Sequence, residues 1–260
     1  KVGRVMKIKY PAGAAALAMV LFSGSMTEAF AAGVLVLAVL VFAEFLKNLL
    51  KPRLVQWSLW ACVLIASGAV SACAFKWAWY ALAWEMPPIL WVMTFAVGLL
   101  AALQVLKWDM EADYGEMFWQ TAVLWFFWIL LAAAREFAAF GDVAGNHLAD
   151  LDFMSSRFGD PIFGFLTGGL ALAFANGVLK TTLPKGESLF IMVPAVIFAQ
   201  PYVLDSLPEV AGLVITIAVP LVLFWSVRHY LRFSQPGRAY RNLPVEMLSM
   251  GLIYMILSIY

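Results

Sequence analysis

The sequence predicts an all-α, polytopic transmembrane helix bundle of about nine spans, and three observations carry that prediction. The chain is 64% apolar and only 13% charged, with a mean hydropathy of +0.88. Water-soluble domains hold roughly 25% charged residues, and a single core cannot enclose so large an apolar fraction at this chain length. The apolar residues also fall into runs of span length, and the basic residues favour alternate connections between those runs.

A bilayer core of about 30 Å takes about 17–25 apolar residues per helix. The nine runs are Tyr10–Met26, Ala29–Leu46, Leu54–Phe75, Pro87–Leu106, Phe118–Ala134, Pro161–Leu179, Ser188–Leu204, Val210–Val227 and Pro244–Tyr260. Breakers separate them: Gly24-Ser25, Pro52, Pro87-Pro88, Gly141, Pro161, Pro184, Pro208, Pro236 and Pro244. The first run, with basic residues before Ala12–Phe22 and Ser23-Gly24-Ser25 after it, has the form of a signal peptide. It is read as a retained helix that turns at Gly24–Thr27 into the second. The chain opens on Lys1, so its N-terminus is expected to be trimmed or incomplete. In the third run Trp77, Trp79, Tyr80 and Trp84 are expected to form an interfacial belt, a pigment cradle being the alternative. In the sixth, Gly164, Gly168 and Gly169 make a close-packing face. Pro194, Gln200, Pro201 and Pro220 allow kinks in the seventh and eighth. No soluble domain fits between the runs, so residues 1–260 form one integral membrane domain.

With the N-terminus in the cytoplasm, alternation puts Lys1, Arg4, Lys7, Lys9, Lys47, Lys51, Arg53, Lys107, Lys180, Lys185, Arg228, Arg232, Arg238 and Arg241 inside. Lys76, Arg135 and Arg157 fall outside, so 14 of the 17 basic residues obey the positive-inside rule. The C-terminus is then outside. A bacterial inner membrane is the expected location.

Several chemistries are excluded. A net charge of +1 lacks the basic footprint of a nucleic-acid binder, so no nucleic-acid partner is expected. Cys62 and Cys73 stand eleven residues apart in one run, about 16 Å along a helix, too far for a disulfide within it. They read as small buried residues. His147 and His229 fall on opposite sides of the membrane and cannot ligate one haem iron, and a three-histidine zinc centre is beyond a chain with two.

Charge inside a membrane is costly and usually functional. Glu28, Glu44 and Glu246 are the acids nearest to being embedded. Thr27-Glu28-Ala-Phe-Ala-Ala-Gly33 is echoed by Val245-Glu246-Met-Leu-Ser-Met-Gly251 on a helix of opposite direction. An inverted repeat or the ordinary preference for acids at helix starts would each produce this echo. Arg135-Glu136 ends the fifth run. The connection 141–160 is the most polar stretch, and Asn146 is expected to cap a surface helix with Leu148, Leu151, Met154 and Phe158 on its apolar face. Asp142, His147, Asp150 and Asp152 are its candidate binding residues, although their spacing matches no metal motif, so no metal site is expected. Arg228, Arg232, Arg238 and Arg241 form a cytoplasmic rim suited to anionic lipid headgroups.

Leu131-Ala-Ala-Ala-Arg-Glu-Phe-Ala-Ala-Phe-Gly141, with Met154-Ser-Ser-Arg-Phe158 and a glutamate opening the last run, resembles a loose group of uncharacterised bacterial polytopic inner-membrane proteins. The resemblance implies the location and no known activity. The Arg-Glu stretch is also similar to membrane subunits of Rnf/Nqr-type ion-pumping redox complexes, whose half-helix cysteines Cys62 and Cys73 do not match. Three function classes follow. An accessory or structural subunit of a membrane complex needs no catalytic motif, only faces for lipids and for other integral membrane subunits. A transporter or channel-like subunit for a small solute, ion or lipid needs a polar path, for which Glu28, Gln120, Asn176, Gln200 and Glu246 are the candidates. A membrane enzyme would use the loop 142–160. The first class is the expected one, without catalysis; no cofactor is expected, lipid is the expected bound molecule, and pigment or haem stays open.

Overall fold

In the computed structural model, which describes residues 10–107, 114–181, 188–199, 208–230 and 237–257, the chain is a bundle of helices. Among the described residues these are α1 (Ala12–Phe22), α2 (Met26–Leu50), α3 (Gln56–Ala81), α4 (Pro88–Lys107), α5 (Tyr114–Phe140), α6 (Pro161–Leu179), α7 (Ser188–Ala199), α8 (Glu209–Tyr230) and α9 (Leu243–Leu257). Five of them, α2 to α6, are long and apolar enough to cross a membrane. A two-residue hairpin, β1 (Asp142–Val143) with β2 (Asn146–His147), and two 3₁₀ turns complete the described elements.

The first run departs from expectation. Instead of a span over Tyr10–Met26, α1 has 11 residues, about 16 Å at 1.5 Å per residue, roughly half a bilayer core. It stops because Ser25 leaves the helix to cap α2: its hydroxyl accepts the Glu28 N–H at 3.2 Å, the Ser-x-x-Glu spacing of a capping box. Every residue of α1 is buried, against α2, α4, α6 and α7. A helix apolar on all sides has no solvent face to present, and this one fills the middle of the bundle.

Hydrogen bonds between helix ends show how the chain alternates. At one end, Phe22 closes α1 against Phe75 and Trp79 near the end of α3, with ring centroids 5.1 and 4.7 Å away. The Trp91 indole near the start of α4 donates to the Ala72 carbonyl at 3.1 Å. The end of α5 meets the starts of α2 and α6 here too, and the segment 141–160 lies at this end, called below the loop end. At the opposite end, the Gln104 amide of α4 donates to the Tyr10 carbonyl, and the Tyr10 hydroxyl donates to Asn176 of α6 at 2.9 Å. Asn176 in turn donates to the Ala239 carbonyl at 3.3 Å, just before α9. Successive helices from α1 to α6 therefore run in opposite directions, and α9 runs antiparallel to α6. Lys47, Lys51, Lys107, Lys180 and Arg241 gather at this second, basic end.

Close approach of helices depends on the small residues of α6. A Cβ at Gly164 would lie 2.6 Å from the Val20 carbonyl oxygen of α1, and one at Gly169 would lie 2.8 Å from Leu248 of α9. The glycine face read from the sequence thus packs α6 against α1 and α9. The aromatic cluster divides: Trp79 is buried on Phe22, Phe75 and Trp84, whereas Trp77 and Tyr80 are exposed at the loop end.

Candidate functional site

The loop end holds the densest polar group outside the basic end, and α5 positions it. Arg135 and Glu136 are consecutive, so their side chains leave the helix about 100° apart and reach different neighbours. Both are buried, at 7% and 6% exposure. The Arg135 guanidinium donates to the carbonyls of Phe158 (2.7 Å), Gly159 (2.8 Å) and Asp160 (2.6 Å) and to the Ser23 hydroxyl. The planar fork of five donors suits this set of part-buried carbonyls and the buried Ser23 hydroxyl. Glu136 does the converse. Its carboxylate accepts the backbone N–H of Met26 at 2.8 Å, Ala144 at 3.3 Å and Gly145 at 3.4 Å. A negative charge at the first residue of α2 also suits the helix dipole. Together the two residues clamp the α1–α2 turn, the hairpin and the entry to α6 onto the end of α5. Glu28 stands in the first turn of α2, half-buried, within electrostatic range of both.

The segment 142–150 does not form the surface helix expected from Asn146. Gly141, at φ +73°, ends α5, and Ala144 and Gly145, at φ +53° and +77°, both adopt the left-handed conformation of a tight hairpin turn. That turn pairs Asp142 with His147 and Val143 with Asn146, so Asn146 is a strand residue and not a cap. Glu136 holds the turn N–H groups in place. Only Ser156–Gly159 is helical, as one 3₁₀ turn.

Three of the four candidate loop residues come together. His147 Nδ1 lies 2.8 Å from Asp142 and Nε2 lies 3.4 Å from Asp150, while Asp152 is exposed elsewhere on the loop. The hydrogen bond to Asp142, then the charge of Asp150, raises the His147 imidazole above the ordinary histidine range. The ring is exposed, so this is a surface charge cluster. Among the described residues no group of three or more His, Cys, Asp or Glu has the arrangement to hold a metal ion.

The remaining candidates scatter. Glu246 opens α9 partway along α6, where Gly169 of α6 approaches the Pro244 carbonyl. Glu28 thus lies at the loop end, and Glu246 lies level with the middle of α6. Gln120 is buried and bonds to Glu116 on its own helix, and Asn176 holds Tyr10 and Thr181, each in a local network. Gln200 and Arg232 lie outside the described residues, as do the side chains of Arg228 and Arg238; Arg241 is exposed at the basic end.

The sequence singles out Glu44 but not its partner. Near the end of α2, Glu44 and Lys47 form an ion pair at 3.1 Å with both side chains buried, and Lys47 also donates to the Val105 carbonyl of α4 at 3.3 Å. The three-residue spacing on one helix was a usable signal for the pair. Its link to α4 was not, because it joins residues 58 apart. Beside it a cleft of about 260 Å³ opens between α2, α3 and α4, lined by Lys47, Lys51, Gln56, Trp60 and Lys107 among others. Compared with protein-family models, curated proteins and solved structures, the chain matches none.

Proposed function

We propose that the chain is a non-catalytic integral protein of the bacterial cytoplasmic membrane, acting as an accessory or structural subunit of a larger membrane complex. The observation that carries this reading is the filled centre of the bundle. The place where a carrier or channel keeps its polar path is occupied by α1, whose eleven buried residues are all alanine, glycine or larger apolar side chains. Polar groups that a path would need stand at different depths, Glu28 at the loop end and Glu246 level with the middle of α6. The most polar loop is engaged in clamping helix ends, with Arg135 and Glu136 directed at backbone groups and not at a vacant pocket. Apolar side chains meanwhile stand out along α2, α3, α5 and α8, among them Phe45, Trp57, Trp119, Phe126, Val214 and Trp225. Such faces suit lipid and neighbouring membrane helices alike. The resemblance of the Arg135-Glu136 stretch to bacterial inner-membrane proteins supports the location.

The test is extraction of the native membrane in a mild detergent, followed by sizing and identification of co-migrating chains. An integral membrane protein is expected to accompany this one in fixed ratio. If the chain runs alone, as a 28.7 kDa protein with its detergent belt, the subunit reading fails.

A further inference from the structure

We propose that His147 is a proton-operated tether: with the imidazole charged, segment 149–154 is held to the hairpin through Asp150, and loss of the proton releases it while the hairpin stays in place. The tether depends on neither the membrane reading nor the subunit reading. Its basis is where the loop end is tied down. The Leu148 N–H donates to the Gly141 carbonyl at 2.9 Å, and the Ser155 N–H donates to the Ala138 carbonyl at 3.2 Å. Between these anchors the chain bonds within itself, Leu151 N–H to Met154 Sδ and Met154 N–H to the Leu151 carbonyl. Among the described residues, the polar tie from this stretch to the hairpin is Asp150, 3.4 Å from His147 Nε2. Asp150, Leu151, Asp152 and Phe153 are all exposed, so little packing replaces that tie.

A histidine bonds two carboxylates at once only as a cation. The imidazolium donates from both nitrogens, whereas the neutral ring has one N–H and one lone pair. Asp142, 2.8 Å from Nδ1, is the closer carboxylate and keeps the remaining proton on that nitrogen. Nε2 then turns a lone pair toward the Asp150 carboxylate, and attraction becomes repulsion. Asp142 is the cross-strand partner of His147, so its bond stays inside the hairpin. Among the described residues, Asp142 of β1 and Asp150 are the charged groups that act on the ring. On α5, against which β1 packs, Glu136 is turned to the N–H groups of Met26, Ala144 and Gly145, and Arg135 to the carbonyls of Phe158, Gly159 and Asp160. Glu136 therefore holds the turn whatever the charge on His147. The hydrogen bond to Asp142, then the charge of Asp150, raises the imidazole above the ordinary histidine range. The tie is thus complete below that range and is lost as pH rises through the raised value. What it restrains includes the exposed Leu151 and Phe153, so the proton sets the freedom of an apolar stretch at the loop end.

The experiment uses the full chain purified in a non-ionic detergent, with Cys62 and Cys73 replaced by alanine and a nitroxide attached at Asp152→Cys. Electron paramagnetic resonance follows the mobility of the label from about pH 5.5 to about pH 8.5, a window that spans histidine titration. The titration of His147 itself is read by NMR of the ¹³C-labelled imidazole, assigned by its absence from His147→Gln. The label is expected to become severalfold more mobile as pH rises, with a midpoint above about 6.5 that matches the midpoint of the imidazole. His147→Gln and Asp150→Ala are each expected to leave the label mobile throughout, and Asp150→Ala to lower the imidazole midpoint. A nitroxide at Asn146→Cys reports the hairpin and is expected to be unchanged across the window in every background, which also verifies that each variant folds at the loop end. Three results overturn the proposal. One is a label at Asp152→Cys whose mobility is the same at both ends of the window. Another is a transition that survives His147→Gln. The third is a transition at Asn146→Cys as well, which would mean that the whole hairpin melts.

Discussion

Arg135 gathers three carbonyl oxygens and one hydroxyl at a point where the chain enters α6 and leaves α1. Removing a buried charged donor leaves its acceptors desolvated and unpaired, which costs more than the bond itself contributed. Arg135→Ala is therefore expected to lower stability by about 3–5 kcal/mol. Arg135→Lys, which keeps the charge but has one nitrogen to reach acceptors on two sides, is expected to lose roughly half of that. Reversible unfolding in detergent, followed by circular dichroism, measures both. A loss below about 1 kcal/mol for Arg135→Ala would show that the loop end is held by other contacts. The sequence marked Arg135 and Glu136 as polar residues worth attention, because charge is scarce in this chain. It did not reveal that both are directed at backbone groups, since those acceptors and donors belong to residues between 8 and 110 positions away.

Among elements, α6 shows how a membrane helix can have two different faces of small residues. Gly164 approaches α1 so closely that an added Cβ would stand 2.6 Å from a backbone oxygen, which no side-chain rotation can relieve. At Gly177 the same Cβ would meet only Ala239, at an ordinary 3.8 Å. Gly164→Ala should therefore cost about 1–3 kcal/mol through a forced shift of α1, whereas Gly177→Ala should be neutral or stabilise by up to about 1 kcal/mol. Comparing the unfolding of the two variants tests this, and equal effects would refute the close packing of α1 on α6. The bounds of α6 match the apolar run Pro161–Leu179, because Pro161 starts the helix and the left-handed Lys180 ends it. Elsewhere the helices outlast their apolar runs: α5 covers Tyr114–Phe140 where the run covers Phe118–Ala134. Backbone hydrogen bonding continues until a cap intervenes, and hydropathy does not register caps. The short α1 was hidden for a related reason, since a uniformly apolar segment has no periodicity to say where its helix stops. The hairpin escaped notice because Asn146 is equally at home as a helix cap and beside a tight turn.

At the scale of the whole molecule, the two ends differ in charge as well as in structure. The described residues put Lys47, Lys51, Arg53, Lys107, Lys180 and Arg241 at the basic end, and Lys76, Arg135 and Arg157 at the loop end. Arg135 is buried and held by backbone carbonyls, so the loop end presents still fewer free cations than that count implies. Lysine and arginine in short connections are retained in the cytoplasm, and on that rule we propose that the basic end faces inside and the 141–160 loop outside. Single cysteines at two exposed turns read the orientation directly: Ala144→Cys in the hairpin and Pro52→Cys between α2 and α3, each with Cys62 and Cys73 replaced by alanine. A membrane-impermeant maleimide applied to intact cells should label Ala144→Cys and spare Pro52→Cys until the membrane is permeabilised. The reverse pattern would turn the protein over and place the lysine cleft outside. Labelling of both from one side would contradict more than orientation. α2, α3 and α5 could not then alternate as their end-to-end hydrogen bonds require, and the clamp at Arg135 and the cleft at Lys47 would have to share one face of the membrane.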